Sequence, residues 1–321
     1  MHLSLVLPCF NEADNVEAMH DAVVSAFDGC GFAYEMVFVD DGSSDGTFAK
    51  LKALRENSPQ SVTVVRFSRN FGKESAIYAG LRHARGDYVT LIDADLQQPP
   101  ALALEMARFL DENEDFDCVA AFQAQRSEGK AVVFMKNCFY KLMNKITEIE
   151  FVQGASDFRT MRRSMAEAVL ALGEHNRFSK GIFSWVGFRT HYVPYKAEER
   201  HSGATKFGTR KLFKLAFDGI VSFTTVPLRL SAFAGVLSAL LALVYMVAVV
   251  IQKLAFDIPV PGYATLVVLI LFLGGLQLLG LGLLGEYLAK TYVESKRRPI
   301  YLAREVLEGK EEIGDRIKEG G

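Results

Sequence analysis

Short apolar runs alternate with longer amphipathic stretches over the first 125 or so residues. Leu3–Leu7, Met36–Val39, Val62–Phe67, Tyr88–Ile92 and Val119–Phe122 are continuous enough to read as buried strands. Between them, Asn15 to Ala26 carries Val16, Met19 and Val23 at helical spacing, with Phe27 continuing the stripe. Helices are likewise predicted up to Leu54, over Ser75–Ala84 and over Leu102–Leu110. Ser44 or Asp45 is placed to cap the helix that ends near Leu54. Repeated βα units predict a Rossmann-like α/β fold with a mainly parallel sheet covered on both faces.

The predicted strands end in polar residues. Pro8-Cys9-Phe10-Asn11-Glu12 follows the first, and Asp40 to Gly46 follows the second. Arg69-Asn70-Phe71-Gly72-Lys73-Glu74 follows the third, and Asp93-Ala94-Asp95-Leu96-Gln97 the fourth. Ligands of open α/β sheets bind at the carboxyl ends of the strands, so four polar loops there suit a nucleotide site. Asp93 and Asp95 offer two hard carboxylates that suit Mg²⁺ or Mn²⁺, with Gln97 adding a carbonyl oxygen and nucleotide phosphates completing the shell. Taken singly, a solvated acidic turn has the same sequence. Asp40 and Asp45 also read as turn caps, Gly42 as a residue supplying positive φ, and Lys73 as an ordinary solvated lysine.

The pattern changes after residue 125. Val132 to Ile146 mixes Val133, Met135, Phe139, Leu142, Met143 and Ile146 with Lys136, Lys141 and Lys145. This predicts a basic amphipathic helix at about 131–146 for an anionic membrane surface, or one packed on its own core. Lys206, Phe207, Lys211, Phe213, Lys214 and Phe217 predict a second interfacial helix within 206–228. Leu230–Ile251 and Ala264–Gly285 then carry no formal charge. At about 1.5 Å per residue, each is long enough for the ~30 Å hydrocarbon core of a bilayer. Basic residues crowd the outer flanks (Arg210, Lys211, Lys214, Arg229; Lys290, Lys296, Arg297, Arg298), whereas the connector has Lys253 and Asp257. The positive-inside rule therefore puts both ends in the cytoplasm. Three regions are expected: a cytosolic domain over 1–228, a two-helix membrane region over 229–290 and a charged cytosolic tail over 291–321. The expected location is the plasma membrane, as a multi-pass protein.

Composition adds exclusions. The net charge of −2 over 321 residues argues against a general nucleic-acid binder. Cys9, Cys30, Cys118 and Cys138 form no CxxC, so zinc, dithiol and disulfide-framework readings fall away. The six histidines make no close ligand cluster. No basic region followed by an apolar stretch opens the chain, so no signal peptide is expected and the N-terminal domain should stay in the cytosol. Gly280-Leu281-Gly282-Leu283-Leu284-Gly285 fits GxGxxG but follows no strand. Its glycines, like Ser231, Gly235 and Ala239, are expected to allow close helix packing or self-association.

The motifs PCFNE, VDDGSSDGT, RNFGKESAIYAGL, GDYVTLIDADLQQPP, GASDFR and ERHSGATKF, in this order, resemble family 2 glycosyltransferases of GT-A fold. The branch they resemble includes dolichyl-phosphate mannose synthases and bacterial polyprenyl-phosphate glycosyltransferases. The resemblance implies that Pro8, Phe10 and Glu12 line the nucleoside pocket and that Asp41 contacts the base. It implies that Asp93, Asp95 and Gln97 hold the metal and diphosphate. Asp157 resembles the carboxylate assigned as base, and stays open here between base and sugar-hydroxyl ligand. Lys180 stands where many relatives have arginine and offers a point charge in place of a planar fork.

The expected reaction is inverting, metal-dependent transfer from a nucleotide sugar such as UDP-glucose to polyprenyl phosphate, with Asp95 and Asp157 as the catalytic carboxylates. Inversion and the sugar come from the resemblance. A phosphate monoester is largely dianionic at neutral pH and needs little help from a base. Arg126, Arg200 and Lys206 are candidates to hold it. A processive polysaccharide synthase is the alternative enzyme, although its QxxRW motif is absent and the single tryptophan, Trp185, lies in Phe183-Ser184-Trp185-Val186. A silent nucleotide-sugar-binding membrane protein is the alternative outside enzymes.

Overall fold

The computed structural model describes residues 2–123, 155–196, 221, 224–256 and 262–309. The chain divides into two compact units, Met1–Gly208 with Arg298–Gly321, and Thr209–Arg297.

The first unit is built on alternating strands and helices: β1 (His2–Cys9), α1 (Val16–Phe27), β2 (Ala33–Asp40), α2 (Thr47–Asn57), β3 (Ser61–Phe67), α3 (Lys73–His83), β4 (Tyr88–Leu91) and α4 (Pro100–Glu112). All the elements predicted over this stretch are present, most with longer boundaries. β5 (Cys118–Gln123), β6 (Ala155–Arg162), α5 (Arg163–Ala171), α6 (Ser179–Trp185) and β7 (Thr190–Tyr195) follow. The eight-stranded sheet has the order β7-β5-β6-β4-β1-β2-β3-β8, where β8 is Ala303–Leu307.

Both faces of the central strands are covered, which is why they read as apolar runs without alternation. Leu3, Leu5 and Leu7 of β1 pack with Val16, Met19 and Val23 of α1 on one face. Val6 packs with Ala76 and Ala79 of α3 on the other. Gly80 lets α3 lie close to β1, because a Cβ there would run into the Val6 side chain.

The sheet is mixed. β1 pairs in parallel with β2 and β4, β2 with β3 and β5 with β7; β6 runs antiparallel to both β4 and β5, and β8 antiparallel to β3. The β8 pairing corrects the expectation of a separate charged tail over 291–321. Val306 pairs with Val65 and Glu305 with Arg66. Tyr301 stacks on Phe67 at 4.9 Å between ring centroids. A short, charged edge strand resembles a solvated tail in composition, because its stability comes from backbone pairing along the β3 edge.

In the second unit, α7 (Val226–Phe256) and α8 (Tyr263–Ser295) form a helical hairpin. The Tyr287 hydroxyl donates to the Thr224 carbonyl at 2.6 Å. Val226–Ile251 and Val268–Ser295 are long and apolar enough to cross a membrane, and neither has a buried stretch. Gly280, Gly282 and Gly285 lie within α8, so the GxGxxG match is not a strand-to-helix loop. A Cβ at these glycines or at Gly235 would meet open space, so the close packing expected of them is not made among the described residues.

Candidate active site

The loops after β1, β2, β3 and β4 emerge at one edge of the sheet, as their parallel pairing requires. Next to β4 the direction reverses, and that reversal builds the site. Leu91 pairs with Arg159 and Thr90 with Thr160 in the antiparallel register. Continued by two residues, the same register sets Asp93 opposite Asp157. The carboxyl end of one strand and the amino end of its neighbour thus deliver two carboxylates to one place. Buried Thr90 and Thr160 hold this register, their hydroxyls 2.7 Å apart.

Lys73 joins the two acids. Its Nζ lies 2.6 Å from Asp93 Oδ1 and 3.0 Å from Asp157 Oδ2. Partial burial works against the ammonium, but Asp93 and Asp157 outweigh it and raise the Lys73 pKa. Burial would likewise raise the Asp157 carboxyl, yet Lys73, Lys180 and Arg159 together hold it down at about 2. Asp157 is therefore ionised at neutral pH. The sequence reading of Lys73 as a solvated lysine missed this role; its side chain is only half-exposed and is spent on the two acids.

Lys73 reaches this position because its backbone is pinned. The Asp41 carboxylate accepts hydrogen bonds from the Phe71 amide at 2.6 Å and the Gly72 amide at 3.0 Å. Gly72, with φ 98°, turns the chain into α3, and Lys73 is the first helical residue. Burial raises the Asp41 pKa despite those two amides. Next along, Glu74 accepts hydrogen bonds from the Ser179 amide at 2.8 Å and from the Ser179 hydroxyl. This ties α3 to the start of α6 and brings the Lys180 charge to bear on Asp157.

In the acidic turn, the Gln98 amide nitrogen donates to Asp93 Oδ2 at 3.0 Å, and the Asp93 amide donates back to Gln98 Oε1 at 2.8 Å. Leu96 has φ 62°, so the turn twists and Gln98 faces Asp93. Gln97 instead donates its backbone amide to Asp95 Oδ1 at 3.2 Å, and Asp95 is buried. Phe10 is exposed beyond β1. Asn11 and Glu12 lean on the loop after β2: the Asn11 amide donates to Ser43 Oγ and the Glu12 amide to Thr47 Oγ1, both at 2.9 Å. Asp45 Oδ1 accepts the Thr47 amide at 3.0 Å and so closes the turn into α2, whose N-cap is Gly46 and not Ser44 or Asp45 as expected. Pro8, Phe10, Glu12, Asp41, Asp93, Asp95, Gln97 and Asp157 thus all belong to one edge of the sheet. Arg126, Arg200, Lys206 and the helix expected over 131–146 lie outside the described residues, as does most of 206–228.

Comparison with known proteins matches this chain to a family. Residues 4–170 match glycosyl transferase family 2, and residues 226–291 match the GtrB C-terminal hairpin. A bactoprenol glucosyl transferase of Shigella phage SfV is 42% identical over 307 residues, covering 95% of this chain and 98% of that protein. The prophage bactoprenol glucosyl transferase homolog of Escherichia coli strain K12 is 41% identical over 309 residues, covering 95% and 99%. Among solved structures, mannosyl-3-phosphoglycerate synthase from Rubrobacter xylanophilus aligns with a TM-score of 0.47 at 19% identity, over 68% of this chain and 72% of that one. The mixed α/β sheet is GT-A-like, and the two apolar helices stand in the hairpin region. The chain is a glycosyltransferase and belongs to glycosyl transferase family 2.

Proposed function

We propose that this enzyme transfers a sugar from a nucleotide sugar, UDP-glucose or a close analogue, to a polyprenyl phosphate at the cytosolic membrane face. The observation that carries the reading is the meeting of Asp93 and Asp157 at the nucleotide edge of the sheet. Relatives named for bactoprenol glucosyl transfer, and the apolar hairpin, support a lipid acceptor. In the step itself, an acceptor phosphate oxygen attacks the anomeric carbon from the face opposite the leaving group. The bond from that carbon to the donor diphosphate breaks, the configuration inverts and a nucleoside diphosphate departs.

Pro8, Phe10, Glu12 and Asp41 are assigned to the nucleoside. Asp41 performs part of this work at one remove, by holding the Phe71–Gly72 turn. Asp93 and Asp95 are assigned to a divalent cation, Mg²⁺ or Mn²⁺. The donor set fits: both oxygen ligands are hard, and Asp93 already holds a positive charge, the Lys73 ammonium. When bound, such a cation offsets charge growing on the diphosphate. The Gln97 backbone amide donates to Asp95, its side-chain carbonyl stays assigned to the cation, and Gln98 is the glutamine that orients Asp93. Asp157 is a weak base at a pKa of about 2. We assign it to orienting the sugar through a hydroxyl, with the dianionic acceptor needing no base. Arg126, Arg200 and Lys206 remain the assigned acceptor-phosphate residues on their sequence positions.

The test incubates the full chain in detergent with radiolabelled nucleotide sugars and undecaprenyl phosphate. Label in a chloroform-soluble lipid is expected, and only with acceptor present. A long water-soluble polymer would favour the processive synthase, and no turnover with any donor would favour the silent binder.

A further inference from the structure

We infer that Lys73 is an internal competitor for the divalent cation: its ammonium holds Asp93 when no metal is bound and leaves Asp93 when the metal binds. The inference rests on the metal-dependent reading above and concerns a residue to which that reading gives no part in the reaction.

The geometry sets the two cations in competition for Asp93. Lys73 Nζ sits 2.6 Å from Asp93 Oδ1, and the other oxygen, Oδ2, already accepts from Gln98. A divalent ion bonds carboxylate oxygen at about 2.1 Å. On Oδ1 it would lie within a few ångströms of the ammonium, where like charges repel strongly. Lys73 has a second partner to retreat to, since Asp157 Oδ2 is 3.0 Å away. Its backbone is not free to follow the side chain. Asp41 pins the Phe71 and Gly72 amides, Ser75 Oγ donates to the Phe71 carbonyl at 3.1 Å, and Glu74 binds Ser179. The exchange is thus a swing of one lysine side chain over a fixed helix start.

Two consequences follow from the linkage. Without nucleotide, Lys73 weakens metal binding by the free energy of its contact with Asp93. Metal, in turn, frees the ammonium from Asp93 by the same coupling. A merely structural lysine would do neither.

The experiment titrates the full chain in detergent with Mn²⁺ alone and reads free Mn²⁺ by electron paramagnetic resonance. Lys73→Met keeps the stem and removes the charge, so it should bind Mn²⁺ at least ~10-fold more tightly than wild type. Lys73→Arg, which restores a cation, should return affinity to within a few-fold of wild type. Equal or weaker binding by Lys73→Met overturns the inference. A parallel titration of wild type with Mn²⁺ and UDP separates this from the parent reading. If wild type holds no Mn²⁺ even with UDP, the metal-dependent reading falls and the inference falls with it. If it does hold Mn²⁺ but Lys73→Met gains nothing, the inference alone falls. A second measurement needs no variant: acetylation of Lys73 in the wild type, mapped by mass spectrometry against Lys50 and Lys52. Saturating Mn²⁺ should raise Lys73 labelling several-fold relative to those two, and an unchanged or lower yield overturns the exchange.

Discussion

Replacing Thr90 or Thr160 by valine tests whether the antiparallel register is what assembles the site. Each residue lies three positions from its acid along the chain, and the two hydroxyls are buried 2.7 Å apart. Valine keeps the shape and deletes one hydroxyl, which strands the other. A buried polar group left unpaired costs about 1–3 kcal/mol, whereas replacing both partners by apolar groups is nearly neutral. Each single variant should therefore lose about 1–3 kcal/mol, and the double variant should recover most of it. The coupling energy of the cycle should reach ~1 kcal/mol or more. For a domain of this size, 1 kcal/mol moves the melting temperature by roughly 2–4 °C. The assay is thermal unfolding of the full chain in detergent, read by protease resistance of the catalytic unit. If the double variant melts as low as the sum of the single losses, the hydroxyl pair does not hold the register and the reasoning fails.

Other outcomes follow from the same edge of the sheet. Gly42→Ala should destabilise by at least ~1–2 kcal/mol in urea unfolding, because Gly42 has φ 68° and a Cβ there would strike the Arg69–Asn70 backbone. A midpoint unchanged from wild type would show that this turn is not constrained. Asp95→Asn should lower turnover at least ~100-fold, the loss typical of one strong electrostatic stabiliser. EDTA should do the same to the wild type, so full turnover in verified metal-free buffer would contradict the cation assignment. A cysteine introduced at Asp257 should be labelled from outside intact cells while one at Arg304 is protected. Labelling of both from one side would show that the hairpin does not cross and return.

The fold was legible where burial is two-sided and periodic. β1 to β4 and their helices stand out because apolar runs and helical stripes report packing directly. β6 was not legible: Ala155–Arg162 carries Ser156, Asp157, Arg159 and Thr160 among its eight residues, and its partner strand is set by tertiary pairing. β8 was missed for a related reason, since Arg304 and Glu305 on an edge strand look like a solvated tail. The candidate acids were legible as motifs, but not their partners. Whether Gln97 or Gln98 faces Asp93 depends on the left-handed twist at Leu96, which composition does not signal. Lys73 looks like any surface lysine until the register brings Asp93 and Asp157 together around it. The structure starts α3 at Lys73, just after Gly72, whereas the sequence pattern began that helix at Ser75, so the unfavourable charge at a helix start was not visible as a signal.

The central claim is chemical: sugar moves from a nucleotide to the oxygen of a lipid phosphate, with inversion. Nuclear magnetic resonance of the purified lipid product tests it most directly, made from an α-linked UDP-sugar and a short-chain polyprenyl phosphate. The account predicts a single phosphorus resonance of a phosphodiester, coupled to a β-anomeric sugar proton. A pair of coupled diphosphate resonances, or an α-anomeric product, would contradict it.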